Sequence, residues 1–80
     1  MTVNKLTRTL KAKGYEMDRY TINHVLTKGV VTYTEWNNEG RTAIELERRK
    51  NSGETEVTCI HKDFKEEFKE MGIEVGTVLK

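Results

Sequence analysis

The chain has no proline and only one cysteine, Cys59. A lone thiol cannot close an internal disulfide, and nothing around it resembles a paired-cysteine metal knuckle, so the fold must be held by packing. Long apolar runs are missing as well. No segment approaches the roughly 20 residues that cross a bilayer, and the N-terminus lacks the apolar stretch of a secretion signal. The expectation is a cytoplasmic protein with no membrane partner. Internal repeats, low-complexity tracts and domain boundaries are also absent. So are Walker loops, Rossmann glycine patterns, zinc-protease helices and serine elbows, which removes the commonest routes to an enzyme or a cofactor.

What remains is 80 residues, enough for one domain with a small core. Hydrophobic residues make up 35%, charged residues 34%, and the mean hydropathy is −0.74. A composition this polar would suit disorder if the apolar residues were scattered, but they are grouped, which favours a folded unit spanning 1–80. Net charge is +1. That figure averages over a gradient: residues 1 to 28 carry six Lys/Arg against two Asp/Glu, whereas residues 51 to 80 carry four against seven. A chain polarised in this way can attract a charged partner at one end or stack head to tail on itself as a homo-oligomer.

Along the chain, Val3, Leu6 and Leu10 fall at the spacing of one helical stripe, with Thr2 as a cap and Gly14 as the stop. Residues 15 to 28 fit either a helix or a strand, and their β-branched and aromatic content favours a strand. Val30 to Trp36 reads as a strand with Val31 and Tyr33 on one face and Val30, Thr32, Thr34 and Trp36 on the other. Asn37 to Gly40 is turn chemistry, and Arg41 to Arg49 alternates Ile44 and Leu46 with Glu45 and Glu47. After a second turn over Lys50-Asn51-Ser52-Gly53, Glu56 to His61 offers another strand. Asp63 then opens a helix in capping-box spacing with Glu66, its stripe being Phe64, Phe68 and Met71, and Gly72 ends it. The tail Ile73 to Leu79 is too apolar to stay in water and should fold back on the core or pair at a sheet edge. The expected fold is α+β: an N-terminal helix, an antiparallel meander of about three strands and a C-terminal helix.

Three kinds of chemistry can be weighed. Cys59, His61 and Asp63 alternate, and His24 could join them, but a structural metal site needs four ligands in recognisable pairs, so no metal is expected. Cys59 beside His61 lacks an orienting group and an oxyanion hole, so no enzyme is expected either. Nucleic-acid binding has more support. Lys5, Arg8 and Lys11 on the first helix and Arg48, Arg49 and Lys50 at the second turn could meet phosphates, with Trp36 or Tyr33 as a stacking platform if exposed. A net charge near zero is short of the usual basic footprint. Binding to a protein partner accounts for the charge split without needing such a footprint, and is the preferred expectation.

The order of a short first helix around Leu6 and Leu10, a hairpin turning at Asn37-Asn38-Glu39-Gly40 and a final Phe64–Phe68 helix resembles small phage and prophage accessory proteins, some anti-CRISPR proteins among them. The resemblance covers architecture and carries no family motif. It implies a cytoplasmic, non-enzymatic protein that inhibits a host factor by occupying a surface. The DNA-mimicking members are strongly acidic, whereas here only Glu66, Glu67 and Glu70 on the last helix have that character, so no residue roles are transferred.

Overall fold

A computed structural model of the chain describes residues 1–50 and 52–80; Asn51, part of the expected second turn, lies outside them. Helix α1 spans Val3–Ala12, strands β1 to β4 span Glu16–His24, Gly29–Asn38, Arg41–Arg49 and Thr55–Ile60, a 3-10 turn covers Lys62–Phe64, helix α2 covers Lys65–Glu70, and strand β5 is Val78–Leu79. The α+β class is as expected. The strand number is not: the described residues form a five-stranded antiparallel sheet in the order β1-β2-β3-β4-β5, in place of about three strands.

Both helices end in the same way, for the same reason. At the end of α1 the Tyr15 N–H donates to Leu10 O and the Gly14 N–H to Lys11 O; at the end of α2 Ile73 donates to Phe68 O and Gly72 to Lys69 O. These are paired Schellman closures, and they need a left-handed residue, which Gly14 and Gly72 supply at φ 86° and 78°. Each closure turns the next residue inward, so Tyr15 and Ile73 both join the core. At the front of α1 the Thr2 hydroxyl accepts from the Lys5 N–H at 3.1 Å, as the sequence predicts.

The expected capping box of Asp63 and Glu66 does not form. His61 Nδ1 accepts the Asp63 N–H at 3.1 Å and caps the 3-10 turn, while the Asp63 carboxylate accepts from Arg41 at 2.7 Å. The Arg41 guanidinium also lies 5.0 Å from the centre of the Phe64 ring. A cation on β3 therefore fixes the entry to α2 from outside, and α2 itself has no side-chain cap.

The core sits on one face of the sheet, where Trp36, Ile44, Leu46 and Val57 meet Leu6 and Leu10 of α1 and Phe64 and Phe68 of the C-terminal segment. A bulge between Trp36 and Asn37 lets the consecutive residues Ala43 and Ile44 both be buried. The apolar tail behaves as expected and becomes β5, pairing Leu79 with Thr55 at the edge of β4. The opposite face is covered by neither helix. Strand β1, at the other edge, contacts only β2 in the sheet, and eight of its nine residues are exposed. No helix among the described residues is long and apolar enough to cross a membrane.

Candidate functional site

The strand register decides which side chains share a face. Tyr20 pairs with Tyr33 and Tyr33 with Glu47; Glu35 pairs with Glu45, and Glu47 with Glu56. With side chains alternating along each strand, Glu16, Asp18, Glu35, Glu45, Glu47 and Glu56 all fall on the face that the helices leave open. Among the described residues these are all the carboxylates of the strands. Among the described residues, Lys28 and Arg49 are the cations that pair with carboxylates of this face, both with Glu47, at 3.4 and 3.7 Å.

At the centre of the open face the rings of Tyr20 and Tyr33 stack at 5.3 Å with an interplanar angle of 24°. The Tyr20 hydroxyl donates to Glu35 at 3.0 Å, and that hydrogen bond, with partial desolvation and the nearby charge of Glu35, raises the Tyr20 phenol above its ordinary value. Tyr33 Oη and His24 Nε2 lie 2.8 Å apart. Beyond the tyrosines the β1–β2 hairpin carries exposed apolar groups: Ile22 is 42% exposed, Val25 77% and Leu26 95%. Ile22 follows Tyr20 on the open face, with Val31 and Arg49 in register beside it, while Val25 and Leu26 lie at the hairpin tip, away from the carboxylates Glu16 and Asp18 at its other end. Exposed apolar groups grouped on one hairpin are a feature of contact surfaces.

The residues expected from sequence to bind a partner do not form one patch. Lys5, Arg8 and Lys11 are exposed on α1, as the amphipathic pattern implies. Trp36 is 1% exposed and lies in the core, so it offers no stacking platform; this corrects the expectation. Arg48 and Arg49 point to opposite faces, because their register partners Thr32 and Val31 do, and only Arg48 shares the side on which α1 packs. Lys50 is exposed, and its N–H is bonded to Val30 O. The basic turn therefore divides between two faces. Arg19, Tyr20 and Ile22, which the sequence reading left unassigned, are the exposed groups that β1 adds.

The alternating Cys59, His61 and Asp63 are also separated in role. Cys59 is exposed and pairs with Glu45 on the open face, His61 caps a turn, and Asp63 is bound to Arg41. Among the described residues no group of three or more His, Cys, Asp or Glu side chains is placed to hold a metal ion.

No protein-family model matches the chain, and no curated protein and no solved structure is significantly similar to it.

Proposed function

We propose that the protein is a non-enzymatic interaction domain that docks a basic protein surface onto the open face of its sheet. One observation carries this reading: the strand carboxylates gather on the face that no helix covers, around the stacked Tyr20 and Tyr33, with the exposed Ile22 next along β1 on the same face. The apolar and aromatic groups supply contact area, and the surrounding carboxylates select a partner rich in Lys and Arg and steer its approach. An accessory protein that occupies a basic surface of a host factor is the form of this role that the architectural resemblance suggests.

The test is site-specific photo-crosslinking from position 22 of the intact chain, followed by binding measurements with the identified and purified partner. A crosslinked surface dense in Lys and Arg is expected, with affinity falling about ten-fold or more in Ile22→Lys and in Glu56→Lys, and unchanged in Lys5→Glu on the far side of α1. A partner surface lacking basic residues, or equal binding by all three variants, would overturn the reading.

A further inference from the structure

The opposite face of the β1–β2 hairpin presents the reverse chemistry. Between α1 and the half of the sheet it leaves uncovered runs a cleft of about 500 Å³, with Trp36 in its floor and no Asp or Glu side chain in its lining. Its walls carry Arg19 and Arg48 together with the hydroxyls of Thr7, Thr21, Thr32 and Thr34. The register explains this composition. Met17, Arg19 and Thr21 of β1 and Thr32 and Thr34 of β2 alternate with the residues of the acidic face, so Asp18 and Glu35 on one side leave Arg19 and Thr34 on the other.

The two arginines are poorly neutralised. The Arg19 guanidinium donates to Thr34 Oγ1 at 3.4 Å and lies 3.7 Å from the Met17 sulfur, both weak contacts, and neither Arg19 nor Arg48 forms an ion pair among the described residues. Arg19 pairs with Thr34 and Arg48 with Thr32, so they stand on β1 and β3 with β2 between them, about 10 Å apart across the sheet and offset by two residues along it. At that separation two long guanidinium side chains can converge on one anion from either side. Thr21 and Thr32, whose hydroxyls are 3.3 Å apart, lie between them and can turn as donors toward it.

We infer that this cleft binds a phosphate-bearing ligand, with Arg19 and Arg48 as the clamp and the threonine hydroxyls as neutral donors. Guanidinium forks match phosphate oxygens bidentately, and a wall without Asp or Glu side chains adds no side-chain repulsion. With Trp36 buried in the floor, the cleft has no exposed ring on which a base could stack, so it recognises phosphate and not base identity. The inference is independent of the acidic face: it uses neither its residues nor its partner.

The experiment is an amide-resolved NMR titration of the full chain with sodium pyrophosphate and, separately, with a short oligothymidylate, each against sodium chloride at matched ionic strength. Trp36 fluorescence is followed in parallel. The amides of Thr21, Thr32, Thr34 and Arg48 should shift with both phosphate probes, and Arg19→Gln or Arg48→Gln should weaken binding by about ten-fold, while Arg49→Gln on the opposite face stays within about two-fold. If the oligonucleotide binds more tightly and with a steep salt dependence, the source is a polynucleotide backbone; if pyrophosphate binds as well or better, it is a free oligophosphate. Shifts no larger than those from chloride, or equal loss in Arg49→Gln, would overturn the inference. The three arginines are exposed, so unchanged thermal melts of the variants would separate lost binding from lost folding.

Discussion

Glu67 ties the two helices together. Lys13 Nζ donates to one of its oxygens at 3.0 Å and the Tyr15 hydroxyl to the other at 2.9 Å. Partial burial pushes this carboxyl upward, but the two donors outweigh it and hold the group below its ordinary 4.5. Tyr15 moves the other way: burial, then its bond to the Glu67 carboxylate, raises the phenol above 10.0. A lowered carboxyl stabilises the fold above its unfolded value, and that stability is lost as pH falls through the folded value. A raised phenol stabilises below about pH 10 and is lost as pH rises through its folded value. Urea unfolding across pH should therefore show stability falling below about pH 4.5 and again above pH 10. Glu67→Gln should flatten the acid limb by less than about 1 kcal/mol, since the side chain is a third exposed and solvent screens the pair. An acid limb unchanged in the variant would show that the lowered carboxyl contributes nothing. Trp36 shows where reading single residues stops. The alternation of β2 correctly grouped it with Val30, Thr32 and Thr34, but a strand face made mostly of threonine does not announce that a helix covers one end of it. Burial of Trp36 is settled by Leu6, Leu10 and Phe68 arriving from elsewhere in the chain.

The hairpin β2–β3 turns through Glu39 and Gly40, both at positive φ, 53° and 76°, with Asn38 paired to Arg41 across it. Two left-handed residues make the mirror-image turn that suits the twist of the strands, and glutamate is a poor occupant of the first position. Replacing it with asparagine creates the preferred Asn-Gly pair, and Glu39→Asn should raise stability by about 0.5–1 kcal/mol, read as a higher urea midpoint at unchanged slope. A lower midpoint would mean that the Glu39 side chain makes a compensating contact. Turns of this kind were legible because local chemistry dictates them, as were α1 with its Thr2 cap and its Gly14 stop. Strand β1 was not equally legible. Exposed along nearly its whole length, it has no buried period to read, and what holds it is pairing with β2, where Tyr20 meets Tyr33 and His24 reaches the same ring. The start of α2 was misread for a related reason: Asp63 and Glu66 have the local spacing of a capping box, but the Asp63 carboxylate is taken by Arg41, 22 residues earlier.

Over the whole molecule the charge is divided between faces more sharply than between ends. The gradient from a basic N-terminal third to an acidic C-terminal third is real in sequence, but it does not locate the patches, because register brings Glu16 and Asp18 from the basic third onto the same face as Glu45, Glu47 and Glu56. The alternation that separates Glu45 and Glu47 from Ile44 and Leu46 was visible within one strand. Its repetition in phase across four strands, and the complementary row of Arg19, Thr32, Thr34 and Arg48, is a property of pairing and could not be seen until the strands were aligned. The strand order has a kinetic consequence of its own. Every strand pairs with its neighbour in the chain, so β1 to β4 can grow one hairpin at a time over short loops, and only β5 returns across the longer segment that carries α2. With no proline in the chain, no step waits for peptide-bond isomerisation. Stopped-flow refolding followed through the sole tryptophan should be complete on a scale of about milliseconds to a second, in a single exponential with no phase of tens of seconds. A slow phase would point to aggregation through the unpaired outer edge of β1, so the same trace that times folding also measures how well that exposed strand is kept from pairing with its own copies.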